Sequence, residues 1–320
     1  MIAAPELTRQ TDGMTALSGS EPDMQRPNGS PVRLGKIRPN RERPGIVVAL
    51  GGGFSRGFAH LGVLDVLEQE QIPVSGIVGT SIGALLGAAF ADGISPRELC
   101  ELGRRVRVRD FIRFQHSDRN AQRKDLISQF VEECFRASGI EDLPIPTAIV
   151  TTDLNSGAPH VFSRGPLDVA IRASCAFPGL FKPVEHEGRL LADGCIVAPV
   201  PTAIAAQIHG RCVLGVAVSS NSAGTSSSEN VVRLRKADPG FRRSRRAALE
   251  PSWSRHAEVL LEPEVHHIGW NDFSRVDEAF AAGADAMRRA LPHVLEFLAR
   301  RNPLQAAAEI TGRAESGLAL

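Results

Sequence analysis

Two kinds of apolar run alternate along this chain. Ile46-Val47-Val48-Ala49-Leu50 is a short unbroken apolar run, as is Val213 to Val218, and Val74 to Val78 is a strand-like apolar run around Ser75 and Gly76; each predicts a strand buried on both faces. Between the first two, Phe58, Leu61, Leu64 and Leu67 recur every third residue and predict an apolar helix stripe. Ala84 to Ala91 reads as a helix of small residues, and Ser95-Pro96-x-Glu98 carries the capping-box signature of another helix start. A further helix is expected from Asp125-Leu126 to Ala137. Ile145 to Thr152 reads as a strand, Asn155-Ser156-Gly157 as its turn and His160 to Ser163 as the return. Arg189 to Ala192 is a shorter strand-like run. From Ser274-x-x-Asp277 onward, Val276, Phe280, Met287, Leu291, Leu295 and Leu298 line one helical face, with Pro292 as a kink or break. Strands alternating with helices predict an α/β fold, its largely parallel central sheet flanked by helices on both faces.

Length and composition agree with one sizeable domain. The chain has 320 residues, 42% of them hydrophobic, enough to bury a large core without disulfides. Residues 1–43 are rich in Pro, Gly, Ser, Thr and charge and read as a disordered tail without a secretory signal. The domain is expected over 44–301, with a flexible insertion at about 219–250 and a C-terminal tail over 302–320. Val74 to Ala91 is free of charge for eighteen residues, the length of a membrane span. Its internal glycines and hydroxyls suit a buried strand–turn–helix unit instead. Five cysteines (Cys100, Cys134, Cys175, Cys195 and Cys212) form no C-x-x-C pair and predict reduced thiols in a cytosolic setting. A net charge of +1 gives no global case for nucleic acid as a partner.

Candidate chemistry gathers at the strand ends. Gly79-Thr80-Ser81-Ile82-Gly83 joins the second strand to a helix, the context of a nucleophile elbow that pushes a serine hydroxyl clear of the sheet. One unit earlier, Gly51-Gly52-Gly53-Phe54-Ser55-Arg56-Gly57 follows the first strand, and consecutive glycines let backbone N–H groups converge on an anion. The loop lacks the G-K-[ST] of a P-loop and has Arg56 where the dinucleotide fingerprint needs its last glycine. An oxyanion of acyl transfer fits better, each donor being worth on the order of 3 kcal/mol. Arg56 either orients this loop or meets a substrate phosphate. Of the histidines after Ser81, His209, His256, His266, His267 and His293 sit in no catalytic-looking turn, and His60 reads as a core or helix-face residue. No H-x-x-x-H spacing marks a metal site. Asp193-Gly194 ends a strand-like run and is the better partner: a carboxylate there can lean directly onto a serine.

These pieces resemble the patatin-like phospholipases, and within them bacterial proteins related to the lipid-esterase domain of neuropathy target esterase. The matching motifs occur in family order over roughly Ile46 to Ser219. They are Gly51-Gly52-Gly53-x-x-Arg56-Gly57, Gly79-x-Ser81-x-Gly83, the Ala173-to-Pro183 segment, and Asp193-Gly194 with Pro199-Val200-Pro201. Thr152-Asp153-Leu154-x-x-Gly157 and Trp270-x-Asp272-Phe273 add weaker echoes.

The resemblance implies a three-layer fold and a Ser–Asp dyad that hydrolyses acyl esters of lipids without cofactor or metal. Ser81 takes the nucleophile position and Asp193 the general base. Gly51, Gly52 and Gly53 take the oxyanion hole, and Arg56 and Gly57 support it. Phe54, Cys195 and Ala198 depart from the usual family residues and leave a weakened enzyme, or a lipid-binding module, as alternatives. A transacylase would use the same acyl-serine.

Two basic stretches suit an anionic membrane surface, with the protein peripheral at the inner face. Arg104 to Arg113 interleaves arginines with Phe111 and Ile112. Arg233 to Arg246 carries seven basic residues against Asp238 alone. A solvated helix face or loop is the competing reading.

Overall fold

The computed structural model describes residues 45–106, 126–209, 212–219 and 256–301. The tails, the 219–250 insertion beyond Ser219 and most of the Arg104-to-Arg113 cluster therefore lie outside the described residues.

Eight strands form one sheet: β1 (Ile46–Leu50), β2 (Val74–Thr80), β3 (Thr147–Asp153), β4 (Ala158–Phe162), β5 (Val184–His186), β6 (Arg189–Asp193), β7 (Val213–Val216) and β8 (Val259–Leu261). Their order is β5-β6-β3-β2-β1-β7-β8, with β4 also on β3. The run from β3 to β8 is parallel, whereas β4, β5 and β6 pair antiparallel. The helices are α1 (Phe58–Gln69), α2 (Ile82–Ala91), α3 (Pro96–Arg105), α4 (Leu126–Cys134), α5 (Leu167–Ser174), α6 (Thr202–His209) and α7 (Val276–Arg301).

The expected two-sided burial follows from β1. Ile46, Val48 and Leu50 face a large core shared with α1, α2, α3, α5 and α7. Their alternates Val47 and Ala49 face a smaller core with Ile204, Ala205 and Ile208 of α6. Helices thus cover both faces.

Differences from the sequence pattern have local causes. The fourth helix stops at Cys134 rather than Ala137, because the Arg136 and Ala137 N–H groups turn away to the Asp92 carboxylate (2.6 and 3.3 Å). α7 runs through Pro292 as a single helix, so the missing N–H interrupts one bond without ending the element. β5 and β8, three residues each, were invisible to periodicity; pairing with β6 and β7 holds them. No helix of the described residues is long and apolar enough to cross a membrane.

Candidate active site

Strand register brings two distant strand ends together. β4 lies along one edge of β3 from Ile149 to Asp153, so β2 and β6 must share the other edge. β2 runs up that edge until Thr80 pairs with Val150. β6 runs down it until Asp193 pairs with Thr151. The two C-terminal ends therefore meet head on, with Ser81 the next residue after Thr80.

Ser81 sits on a forced turn. Its φ of 55° and ψ of −125° are left-handed values that a residue with a Cβ rarely adopts, at a cost of about 1–3 kcal/mol. The surroundings over-determine it. The Ser81 N–H donates to Ser174 Oγ (2.8 Å), whose own hydroxyl donates to the Val150 carbonyl (2.7 Å). Ala84 and Leu85 donate back to the Ser81 carbonyl (2.9 and 3.1 Å). A methyl at Gly79 would strike the Ala84 backbone, and one at Gly83 the Leu50 carbonyl. The elbow glycines are thus needed for space.

The Ser81 hydroxyl donates to Asp193 Oδ2 at 2.6 Å. The second oxygen, Oδ1, accepts the Cys195 N–H at 2.8 Å, and Thr152 Oγ1–H donates to the Asp193 carbonyl at 2.8 Å. Asp193 is wholly buried and Ser81 only 5% exposed. Burial pushes the Asp193 carboxyl up to about 6, against the pull of the Ser81 and Cys195 hydrogen bonds. Gly194 is packed against the Val150 carbonyl, where no side chain fits.

The glycine loop crosses beside this pair. Gly52 lies against Ser81 Cβ and the Cys195 sulfur, and a methyl on it would run into that sulfur. Three converging donors were expected here; the structure narrows them. Gly51 N–H donates to the Val216 carbonyl and Gly52 N–H to the Pro199 carbonyl, both at 3.0 Å: the first adds one bond to the β1–β7 ladder, and the second ties the loop to the segment before α6. Among the described residues, the Gly53 N–H has no acceptor, nor has the Ile82 N–H in the first turn of α2. Ile82 directly follows the elbow serine, the place where a helix N-terminus brings its backbone donors beside the hydroxyl.

Arg56 is held by the segment that precedes α7. Its Nε donates to the Ile268 carbonyl (2.7 Å) and a terminal nitrogen to the His266 carbonyl (3.3 Å). Ser55 adds its N–H and hydroxyl to the Trp270 carbonyl (3.1 and 2.9 Å). The ring of Phe54, at φ 54°, meets Trp270 edge-on with centroids 5.3 Å apart. Of the two readings of Arg56, the geometry is that of a loop support. Gly57 packs on Ile82, which ties the loop to the elbow helix.

Among the described residues, no histidine bonds the Ser81 hydroxyl. His267 pairs with Glu278 at 2.5 Å, and the Ser81 hydroxyl is engaged by Asp193. His60 is completely buried, and its Nε2 lies 2.7 Å from the Gly51 carbonyl. That bond was not legible from its place on an apolar helix stripe.

Residues 48–206 match the family model of the patatin-like phospholipases. This segment belongs to the patatin-like phospholipase family. An uncharacterized NTE family protein of Mycobacterium tuberculosis is 38% identical over 184 residues, covering 57% of this chain and 51% of that protein. Patatin-like phospholipase domain-containing protein 6 of Homo sapiens is 30% identical over 183 residues, 55% of this chain and 13% of that protein. The alignments thus take in about half of the mycobacterial relative and a small part of the human one. Among solved structures, VipD from Legionella pneumophila superposes with a TM-score of 0.46 at 14% identity, covering 79% of this chain and 67% of that one.

Of the three departures in the patatin-like domain, Ala198 and Cys195 differ in weight. Ala198 presents its carbonyl, not its side chain, to Thr80 Oγ1 (3.0 Å). The Cys195 thiol touches both Gly52 and the Asp193 carboxylate. Burial, reinforced by the Asp193 charge, pushes its pKa well up, so the sulfur stays protonated and acts as a weak donor.

Proposed function

We propose that this protein hydrolyses carboxylic esters of lipids through a Ser81–Asp193 dyad. The single observation that supports this most is the 2.6 Å bond between Ser81 Oγ and Asp193 Oδ2 in a buried site, at a serine held on a left-handed turn. In the acylation step Asp193 takes the Ser81 proton as Oγ bonds to the ester carbonyl carbon. The carbonyl oxygen becomes an oxyanion, for which the Gly53 and Ile82 N–H groups are the available donors. Collapse expels the alcohol, which leaves with the proton from Asp193, and the acyl group remains on Ser81. Water then loses a proton to Asp193, attacks the acyl carbon and releases the fatty acid as Ser81 regains its proton. A carboxylate near 6 is ionised at neutral pH yet more basic than one in water, as a base in this role requires.

The family match supports lipids as the substrate class; acyl esters of membrane lipids, met by a protein that docks peripherally on the inner face of the membrane, are the reading proposed here. The test is turnover of a lipid panel together with fluorophosphonate labelling of Ser81. Labelling lost in Ser81→Ala, with fatty acid released from at least one phospholipid or lysophospholipid, is the expected result. An unlabelled, inactive wild type would leave a lipid-binding module.

A further inference from the structure

His60 is the one buried side chain among the described residues with an unsatisfied polar atom: its Nδ1 has no partner. Burial pushes its pKa down to about 4, so the ring is neutral and carries a single N–H. Only Nε2 faces an acceptor, the Gly51 carbonyl at 2.7 Å, so the proton sits on Nε2 and Nδ1 is left as a bare lone pair. An aliphatic residue would fill this place on α1 without stranding a nitrogen. What it could not supply is the donor to Gly51.

That donor acts on one peptide plane. The Gly51 carbonyl and the Gly52 N–H belong to the same rigid peptide unit. Its N–H end is pinned by the Pro199 carbonyl at 3.0 Å, and its C=O end by His60. Beyond it come the two torsions of Gly52, which has no Cβ to restrict them, and then the Gly53 N–H. A loop of three glycines has little intrinsic direction, so its aim must be imposed from outside. Gly52 also has Ser81 and Cys195 against it, and Arg56 braces the far end of the loop, so the pinned plane fixes the near end of the segment that aims the Gly53 N–H.

We infer that His60 is a positioning residue: by holding the Gly51–Gly52 peptide plane at its carbonyl end, it aims the Gly53 N–H at the oxygen that turns anionic when Ser81 attacks. This role rests on the dyad hydrolysis proposed above. It predicts an effect on the transition state with little effect on substrate binding.

Two polar replacements separate the role from simple packing. His60→Gln places an amide N–H where Nε2 stood, whereas His60→Asn reaches only to the position of Nδ1. With a soluble p-nitrophenyl ester, His60→Asn is expected to lose about 10²-fold in kcat relative to His60→Gln, with KM within about twofold. Equal kcat for two folded variants overturns the assignment. A second measurement needs no variant. In protein with nitrogen-labelled histidine, a trifluoromethyl ketone is added to form a hemiketal at Ser81, and the buried Nε2–H proton resonance is followed. A shift on adduct formation is expected; a resonance that does not move overturns the role even where the Asn variant fails to fold. A wild type that forms no adduct overturns the hydrolase reading, and this role with it.

Discussion

Thr80 and Asp193 occupy consecutive places on one edge of β3, paired with Val150 and Thr151 respectively. A parallel strand and an antiparallel strand therefore end nose to nose there. The residue after the first end, Ser81, comes within 2.6 Å of the carboxylate at the second. Sheet hydrogen bonds set the spacing, so the pair is preorganised before any substrate arrives.

Ser81→Ala is expected to remove esterase activity by about 10³-fold or more while the protein keeps its melting temperature to within a few degrees. His266→Ala and His267→Ala should retain most activity, since Asp193 and not an imidazole engages Ser81. Turnover of a p-nitrophenyl ester by the three purified variants checks this. A histidine variant as inactive as Ser81→Ala would replace the dyad by a triad.

Asp193→Asn should be inactive and, at alkaline pH, more stable than wild type. The folded carboxyl titrates near 6 because it is buried, against about 3.9 for an unfolded Asp. Between these values the native state binds more protons than the unfolded state, so stability falls as pH rises through about 4 to 6. The full drop is on the order of 3 kcal/mol. The amide carries no such penalty. Melting curves at pH 5 and pH 8 should show the variant gaining on wild type at the higher pH; a constant difference would contradict the raised pKa.

The same carboxyl must be ionised to act as base, so kcat/KM should fall below an apparent pKa near 6. Cys195→Ala removes a hydrogen bond that pulls this pKa down. The acid limb of the variant should therefore move to higher pH, by a fraction of a unit, with the alkaline plateau kept. An unmoved limb means that the thiol does not touch the carboxylate in solution.

Arg56→Ala should act through the loop it braces. Losing the bonds to the Ile268 and His266 carbonyls frees the segment that carries Gly53, and kcat is expected to drop by about 10- to 100-fold. If Arg56 instead met a substrate phosphate, the loss would appear for phospholipids and not for an uncharged ester. Comparing the two substrates decides between them.

The basic stretch from Arg233 to Arg246 lies outside the described residues, and its role in docking is open to direct test. Replacing Arg242, Arg243, Arg245 and Arg246 by glutamine should weaken binding to anionic vesicles at low salt and leave soluble-ester turnover unchanged. Screening with a reach of about 8 Å at physiological ionic strength should narrow the difference as salt rises. Equal vesicle binding at every salt concentration would assign these arginines to an ordinary solvated loop.

The sequence by itself determined the elements whose signals are short-range. Ile46–Leu50 is apolar without interruption and Val74–Val78 is broken only by Ser75 and Gly76; both became buried strands, and Gly79 and Gly83 flank Ser81 because the turn there has no room for a Cβ. Such constraints act within a few residues and can be read in a window of that size. Tertiary structure alone decided what spans the chain. Ser81 and Asp193 are 112 positions apart, and only motif resemblance linked them before the register of β3 did. Which glycine amide stays free, where Arg56 turns and what His60 holds depend on acceptors at Val216, Pro199, Ile268 and Gly51. A polar group chooses its partner from whatever the fold places within about 3 Å, and that neighbourhood is not written in the residue's own flanks. The raised Asp193 carboxyl belongs to the same class, since burial by the assembled sheet and helices is its largest cause.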